Sequence, residues 1–431
     1  MKNKQLAAFY AKLYRFSCRI LFCLVTFTFV AASPYPDRIV LTWADDPAHS
    51  QAVTWRTDRS VERAVAQIGV AQDNGHDTRY EERMAVTTPL HSELGGKVNY
   101  HSVNFEGLAP ATTYTYRVGD GKNWTEWFHF KTAALEAVPF SFIYFGDAQN
   151  DIKENWSRLF RQAFRHAADA SFTLHAGDLI NRAENDEQWG EWFNAPGWVN
   201  ATIPVIATPG NHEYFRDQDV RHLSRFWQPQ FTFPQNGPEG VKESCYYIDY
   251  QGVRIISLNS NEKQEEQKQW LEEVLSHNPQ LWTIITFHHP IYSSAVLRDN
   301  EALRDLWKPL FEKHKVDLVL TGHDHTYART HSEGTAYMVS VSGSKFYKLN
   351  KQKWMHRSAA EIQLYQIIRV NADLLTLETY TATGRLYDKF ELEKQEGERN
   401  LLRAYFTDAT INNLNNCVSL KNNDHLPCTE P

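Results

Sequence analysis

The chain has 431 residues, of which 42% are hydrophobic, and a formal net charge of −7. This length exceeds what one hydrophobic core usually organises, so we expect two domains. The globular, aromatic-rich composition excludes extended disorder, and the net negative charge gives no electrostatic footprint for a nucleic-acid partner.

Residues 1–33 have the layout of a secretory signal peptide. Basic residues precede an apolar run from Ile20 to Val30, which ends in the small residues Ala31-Ala32-Ser33. A membrane anchor is the alternative, but the run is too short for an ordinary span. We therefore expect a mature chain that begins near Ser33, has no membrane span, and is secreted or periplasmic.

Residues 34–134 alternate between short β-rich runs and turn residues, which predicts a small antiparallel β-sandwich. Tyr114, Tyr116 and Val118 alternate with polar residues and should share one inward face. The segment contains no reactive constellation. It serves either as a structural cover for the next domain or as a binding module.

Residues 138–394 follow a different order, with strand, loop, helix and strand in succession, which indicates an α/β (α+β) fold class. The apolar run Phe140–Phe145 predicts a buried strand, and apolar residues at helical spacing predict a helix over 155–168. A hairpin turning at Gln251-Gly252 is expected within 246–257. Further strands are expected at 170–176, 203–208, 282–287, 316–321, 337–342 and within 361–393, with an amphipathic helix over 263–276.

The chain beyond Gln395 is polar and rich in Asn, which predicts a peripheral tail over residues 395–431. Cys417 and Cys428 lie close together there, and in an oxidising compartment we expect a disulfide between them. Cys245 is expected to be a small buried residue instead.

Five polar motifs each follow a predicted buried strand. Alone, each could be a turn, a helix cap or a pair of packed imidazoles. In open α/β sheets, however, ligands gather in loops beyond the carboxyl ends of strands, and carboxylate, amide and imidazole groups there could hold two metal ions with a bridge. Such a centre suits phosphoester hydrolysis. The motifs are Gly146-Asp147, Gly177-Asp178, Gly210-Asn211-His212-Glu213, His288-His289 and Gly322-His323-Asp324-His325.

The order of these motifs resembles that of the purple acid phosphatases of the calcineurin-like metallophosphoesterase superfamily. The N-terminal sandwich also resembles the fibronectin type III-like domain of that family, so the resemblance extends from about Pro36 to Glu393. It implies a small N-terminal β-sandwich followed by a four-layer α/β/β/α sandwich, and it assigns His212 to phosphate contact or leaving-group protonation. The implied metal ligands are Asp147 and His325 on the first ion, Asp178 as the bridge, and Asn211, His288 and His323 on the second.

Two positions depart from the family pattern. Purple members have a metal-binding tyrosine three residues after the bridging aspartate, where this chain has Asn181. Losing a phenolate weakens the preference for ferric ion, so we expect two metal ions, Fe with a divalent Zn, Mn or Fe, and no purple charge-transfer band. Where the family usually has Ser before Pro, this chain has His289, for which we hypothesise a catalytic and substrate-binding role beside His212.

The function expected from the sequence is that of a secreted binuclear phosphatase that hydrolyses small phosphomonoesters by attack of metal-activated hydroxide. A phosphodiesterase or nucleotidase of the same fold is an alternative. A non-catalytic surface protein that binds through the β-sandwich is another, although retention of all six ligands argues against it. Four aromatic side chains could stack on a nucleobase or an aromatic leaving group, or could pack ordinarily within their loop: Trp189, Trp192, Phe193 and Trp198.

Overall fold

The computed structural model describes residues 33–74, 79–92 and 96–405. The predicted signal peptide up to residue 32 lies outside the described residues, as do Cys417 and Cys428. Within the described ranges, no helix is long and apolar enough to cross a membrane.

The N-terminal part consists of two four-stranded antiparallel sheets, with spatial orders β1-β2-β6-β5 and β4-β3-β7-β8. Tyr114, Tyr116 and Val118 lie buried in the core between them, as their alternation predicts. The strands are β1 (Asp37–Thr42), β2 (Ser50–Asp58), β3 (Val65–Val70), β4 (Glu81–Met84), β5 (Val86–Ser92), β6 (Gly96–Glu106), β7 (Thr113–Gly119) and β8 (Phe128–Lys131).

The remainder contains two seven-stranded mixed sheets and a small separate hairpin, β12-β13. The first large sheet has the order β11-β10-β9-β21-β22-β23-β24 and the second has the order β14-β15-β16-β17-β19-β18-β20. The strands are β9 (Phe140–Phe145), β10 (Thr173–His175), β11 (Val205–Ala207), β12 (Tyr214–Asp217), β13 (Val220–Leu223), β14 (Tyr246–Tyr250), β15 (Val253–Ser257), β16 (Trp282–Phe287), β17 (Leu318–Thr321), β18 (Tyr327–Ser332), β19 (Thr335–Val339), β20 (Arg357–Ala359), β21 (Leu364–Asn371), β22 (Leu374–Thr381), β23 (Leu386–Glu393) and β24 (Leu401–Ala404).

Successive residues of the central strands face different layers, which explains why these strands are apolar throughout. On β16, Ile284 belongs to the core between the sheets, whereas Ile285 packs with Leu271 from an outer helix. On the opposite side, Phe160 of another helix stacks on Phe145 of β9 at 5.1 Å. The predicted four-layer sandwich is thereby confirmed. The helices are Ser157–His166, preceded by a wide π turn at Ile152–Trp156, then Asp186–Asn194, Trp227–Gln230, Gln264–Ser276 and Glu301–Lys313, with short 3₁₀ turns at Gly197–Ala201 and Asn211–Glu213.

Local patterns predict some of these elements well and others poorly. The predicted hairpin forms from β14 and β15, with Gln251 (φ 45°) and Gly252 (φ 88°) both left-handed, as a type I′ turn requires. Strand β18 is absent from the sequence-based prediction. The predicted tail also differs, because Leu401–Ala404 pairs with β23 and extends the first sheet. Leu402 packs there against the core, so the tail begins with an edge strand.

A buried charge cluster joins the N-terminal sandwich to the second part. Asp186, in the first turn of its helix, accepts hydrogen bonds from Arg38 Nη1 at 2.7 Å and from Arg56 Nη1 at 3.1 Å. Arg38 also donates to the Tyr100 hydroxyl at 2.9 Å. The side chains of Asp186, Arg38 and Arg56 are all at least nine-tenths buried.

Candidate metal centre

The five motifs meet where the two large sheets face each other. Three follow the carboxyl ends of β9, β10 and β11 in the first sheet, and two follow β16 and β17 in the second. Parallel strands bring their carboxyl ends to one edge, so loops distant in sequence become neighbours there. The six predicted ligands come together at this edge: Asp147, Asp178, Asn211, His288, His323 and His325.

Four atoms that can bind a metal ion meet at the edge of the His288 imidazole. Its Nδ1 donates to the Ala176 carbonyl at 2.9 Å, which leaves the lone pair on Nε2. That Nε2 lies 3.1 Å from Asp178 Oδ2, 3.2 Å from Asn211 Oδ1 and 3.1 Å from His323 Nδ1. A cation satisfies all four atoms at once, so these residues could hold a metal ion.

A second group of acceptors surrounds the His325 imidazole. Its Nδ1 donates to the Lys345 carbonyl at 3.0 Å, so the Nε2 lone pair points at Asp147 Oδ2, 3.2 Å away. Asp147 Oδ2 is buried and has no hydrogen-bond partner. The Gln149 amide nitrogen lies 3.1 Å from His325 Nε2 and 2.8 Å from Asp178 Oδ2. Asp178 Oδ2 therefore lies between the atoms around His288 and those around His325. Carboxylates with imidazoles fit Fe, Zn or Mn.

Burial and mutual charge strongly perturb these side chains. Burial raises the pKa of Asp147 to about 7. Burial opposes a charged imidazole, but the Asp178 carboxylate outweighs it and raises the pKa of His288 to about 9. Burial alone would raise the pKa of Asp178, but the neighbouring His288 holds that pKa well below its usual range. A metal ion would take the place of the His288 proton, so binding should release protons.

The backbone of the site is strained, and its glycines are required by close contacts. Asp178 (φ 50°), His323 (φ 73°) and His325 (φ 50°) all adopt the left-handed conformation, which costs a non-glycine residue about 1–3 kcal/mol. A Cβ on Gly177 would lie 2.8 Å from His288 Nδ1, and one on Gly322 would lie 2.2 Å from Asp147 Oδ1. Such strain clusters at functional sites because the surroundings over-determine it.

Glu213 holds two of the motif loops together, a role that the sequence motif did not reveal. Its fully buried carboxylate accepts backbone N–H groups from Asp178 (2.8 Å), Leu179 (2.8 Å) and Gly210 (2.6 Å). Burial, reinforced by the Asp178 charge, raises the pKa of Glu213 to about 8. The signal that could have found it is the Glu three residues after Gly210, as in a capping box.

Asp324 performs a similar task on the opposite side of the His-Asp-His motif. It is fully buried and accepts from Ser293 Oγ at 2.8 Å and from the Ser294 N–H at 2.6 Å. Arg298 forms an ion pair with it at 3.3 Å and also contacts His323 Nε2. Asp324 thus orients the loop between the two histidines without facing the acceptor clusters.

Both predicted catalytic histidines lie beside the centre. The Nδ1 of His212 contacts the Asn181 carbonyl at 2.6 Å, which directs its Nε2 towards Asp178 Oδ2, 4.0 Å away. The His212 side chain is 25% exposed and open to a bound substrate. His289 Nδ1 contacts Ser260 Oγ at 2.8 Å, and its ring centre lies 4.2 Å from that of His323. Burial, helped by the His288 charge, lowers the pKa of His289 to about 3.

The aromatic residues suggested for base stacking lie elsewhere. Trp189, Trp192 and Phe193 are buried in the core, so ordinary packing is the correct interpretation for them. Trp198 is 58% exposed, but its ring packs edge-on against Phe164. Cys245 is also buried, as expected.

A four-layer sandwich with candidate metal ligands at the strand ends is the arrangement of a metallophosphoesterase fold. The family model described as calcineurin-like phosphoesterase matches residues 140–327, and the model described as purple acid phosphatase N-terminal domain matches residues 36–132. Together the two models cover more than half of the chain. The chain therefore belongs to the purple acid phosphatase group of the calcineurin-like phosphoesterases.

Named relatives and a solved structure agree with this family. The chain is 25% identical over 311 residues to Fe(3+)-Zn(2+) purple acid phosphatase 12 of Arabidopsis thaliana, covering 68% of this chain and 65% of that protein. It is 28% identical over 330 residues to human acid phosphatase type 7, covering 69% and 72% respectively.

The solved structure of purple acid phosphatase PPD1 from yellow lupin matches with a TM-score of 0.71. The match covers 83% of this chain and 74% of that one at 19% identity, which supports the fold alone. The chain spans just under two thirds (64% to 66%) of the length of the plant purple acid phosphatases that it matches.

Proposed function

We propose that this protein is a metal-dependent hydrolase of small phosphomonoesters that works through a binuclear centre. The observation that carries the proposal is the convergence of carboxylate, amide and imidazole ligand atoms at two adjacent positions, joined by the single atom Asp178 Oδ2. Acceptors facing one another at about 3 Å repel unless a cation or proton lies between them.

We assign the ligands as the family resemblance implies. Asp147 and His325 would hold the first ion, Asn211, His288 and His323 would hold the second, and Asp178 would be shared by both. One relative is named as an Fe(3+)-Zn(2+) enzyme, and we propose Fe with a divalent Zn, Mn or Fe here. Such ions would supply Lewis acidity towards the phosphoryl oxygens and lower the pKa of a water that attacks phosphorus.

The protein's own side chains then bind and orient the ester. His212, with Nδ1 bonded to the Asn181 carbonyl, presents Nε2 at the edge of the centre, where it can protonate the leaving oxygen. His289, fixed by Ser260, lies next to His323 and supplies a polar contact to a phosphoryl oxygen. His212 is thus proposed as the acid, and His289 as a contact to the substrate.

Monoesters are favoured over nucleotide diesters because three of the four aromatic residues suggested for stacking, Trp189, Trp192 and Phe193, are buried away from a substrate. The complete ligand set also favours an enzyme over a non-catalytic binding protein. The signal-like segment supports export, and we place the enzyme outside the cell or in a periplasm.

Hydrolysis of an aryl phosphate monoester and of the matching diester, with and without chelator, tests this function. We expect two metal ions per chain by elemental analysis, a higher kcat/KM for the monoester, and loss of activity after metal removal. His288→Ala should lose both activity and metal, whereas His277→Ala, at the exposed end of an outer helix, should retain both. Full activity in the metal-free chain would contradict the proposal, and a faster diester reaction would favour the phosphodiesterase alternative.

A further inference from the structure

The hairpin β12-β13 begins directly after the Gly210-Asn211-His212-Glu213 motif and carries two exposed arginines. Arg216 and Arg221 are paired directly across its two strands, so their side chains lie on one face with Cβ atoms about 4.5–5.5 Å apart. Like charges in this position destabilise a pair of strands. Among the described residues, neither guanidinium group forms an ion pair, and Arg216 also forms no hydrogen bond.

The acidic residues of the hairpin do not share the face of the two arginines. Asp217 follows Arg216 directly, and successive residues of a strand point to opposite faces. Asp219 lies in the two-residue turn, where Gln218 (φ 45°) and Asp219 (φ 69°) are both left-handed. Such a turn fixes the register of the two strands, so the chain holds the two positive charges together by its own geometry.

Arg221 is attached to the base of the hairpin, beside the candidate metal centre. Its guanidinium carbon lies 5.1 Å from the centre of the Tyr214 ring, and its Nη2 donates to Asn261 Oδ1 at 3.1 Å. The Asn261 amide donates in turn to the carbonyl of Pro209 at 2.9 Å, at the start of the motif loop. The neighbouring acid Glu262 accepts from the Tyr214 hydroxyl instead of pairing with Arg221.

Both proposed substrate-contacting histidines lie next to this base. Asn261 follows Ser260, whose hydroxyl contacts His289 Nδ1 at 2.8 Å. Burial is the main cause of the lowered pKa of His289, and the Arg221 charge adds to it. His212, the proposed acid at the leaving oxygen, comes two residues before the hairpin begins. The two arginines thus lie on the side of the centre towards which the leaving group of a bound ester would extend.

We propose that Arg216 and Arg221 bind a second phosphate group, carried by the leaving group of the substrate. The inference rests on the proposed hydrolysis of phosphomonoesters and narrows the substrates to small esters that carry another phosphate. Guanidinium groups donate paired hydrogen bonds to phosphate oxygens. Two positive charges match a phosphate monoester, which carries a charge of about −1.5 to −2 at neutral pH, whereas a carboxylate would leave one uncompensated. A bound phosphate would also relieve the repulsion across the strands.

The test uses the metal-loaded full chain and alkyl phosphates that differ only at the far end of the leaving group, which ends in a hydroxyl, a carboxylate or a second phosphate. Propyl, hexyl and nonyl chains vary the distance between the two ends. At the best-fitting length, we expect a kcat/KM for the bisphosphate about 10-fold above that of the hydroxyl ester, after halving for its two equivalent ends. This preference is at the low end for hydrogen bonds to charged groups, because the arginines are exposed.

Substitution of the arginines separates their role from a general effect of charge. Arg216→Gln should lose most of the preference for the bisphosphate, through a higher KM rather than a lower kcat. The double variant with Arg221→Gln should lose all of it. The matched control is Arg225→Gln, which makes the same change in net charge two residues after the hairpin. Arg225 is already paired with Glu184 at 2.6 Å, so this variant should keep the wild-type preference.

The possible results distinguish this inference from the proposed function. Failure of the metal-loaded chain to hydrolyse any of these esters overturns both together. Hydrolysis without a preference for the bisphosphate at any chain length, or a preference that persists in the double variant, overturns the role of the arginines alone. An equal preference for the carboxylate ester contradicts the assignment of a second phosphate.

Discussion

Removing the Asp186 carboxylate should destabilise the junction between the N-terminal sandwich and the second part. Among the described residues, Asp186→Ala leaves the buried guanidinium of Arg38 without a carboxylate, because its remaining partners are neutral: the Tyr100 hydroxyl, the Gln230 side-chain oxygen and the backbone carbonyl of residue 186. Arg56 is affected less, since Asp37 holds it at 2.6 Å and 2.8 Å.

The size of the loss in the free energy of unfolding depends on the charge that is left without a partner. Breaking a buried ion pair on one side typically costs about 3–5 kcal/mol. The side chains of Asp186 and Arg38 are 9% and 4% exposed, so solvent offers little compensation. The backbone carbonyl of residue 186 still accepts from Arg38 in the variant, so we place the cost of breaking the ion pair near the lower end of this range. Loss of an acid from the first helical turn adds about 0.3–1 kcal/mol. We expect a loss of about 3–4 kcal/mol in the free energy of unfolding.

Urea unfolding of the metal-loaded chain, followed by tryptophan fluorescence, measures this loss. Glu301→Ala is the matched control, because Glu301 is an exposed acid in the first turn of another helix, where it acts through the helix dipole and a charge interaction with Arg304 at the surface. The double variant Arg38→Met with Asp186→Ala should recover stability, since the stranded charge is gone. A loss below about 1 kcal/mol in Asp186→Ala, or a double variant no more stable than the single one, would refute the reasoning.

Three further substitutions test the candidate centre. Glu213→Gln should lower metal affinity by about 10- to 100-fold, because an amide N–H₂ faces the backbone N–H groups that the carboxylate accepts; Co²⁺ titration measures this. Asn181→Tyr should generate a tyrosinate charge-transfer band in the iron-loaded chain, while the wild type should show none in the same absorption spectrum. His212→Ala should reduce kcat by about 100-fold or more on esters with poor leaving groups and less on activated aryl esters, with unchanged metal content by elemental analysis.

Each of these expectations has a clear contrary result. Unaltered Co²⁺ binding in Glu213→Gln would mean that the loops are held without its charge. A strong band in the wild-type spectrum would contradict the consequence drawn from Asn181. An equal fall in rate for good and poor leaving groups in His212→Ala would remove its role as the acid.

Strands that are buried on both faces, and the residues that end them, were predictable from local sequence. The run Trp282–Phe287 forms β16 with the predicted bounds, and His288 follows it directly. This strand was predictable because an uninterrupted apolar run that ends at polar residues can be recognised in the sequence. The six predicted ligands come together for the same reason. Each lies at a strand end, and the parallel arrangement places those ends side by side.

Features that depend on distant contacts were not predictable. Arg38 meets Asp186 across 148 positions, and nothing in either local pattern marks the pair. Strand β24 forms only because β23 offers a free edge, so its polar, tail-like sequence is misleading. Gln149 reads as an ordinary loop residue, and its contacts with the Asp178 and His325 side chains emerge only in the folded chain.

The arrangement of the two large sheets gives the metal ions a second consequence. In the proposed assignment each ion is gripped from both sheets: Asp147 and His325 follow β9 and β17, while Asn211 and His288 follow β11 and β16. The ions would then link the two sheets, and the free energy of metal binding would add to the stability of the folded sandwich. Chelation should lower the melting temperature of the whole sandwich as well as remove its chemistry.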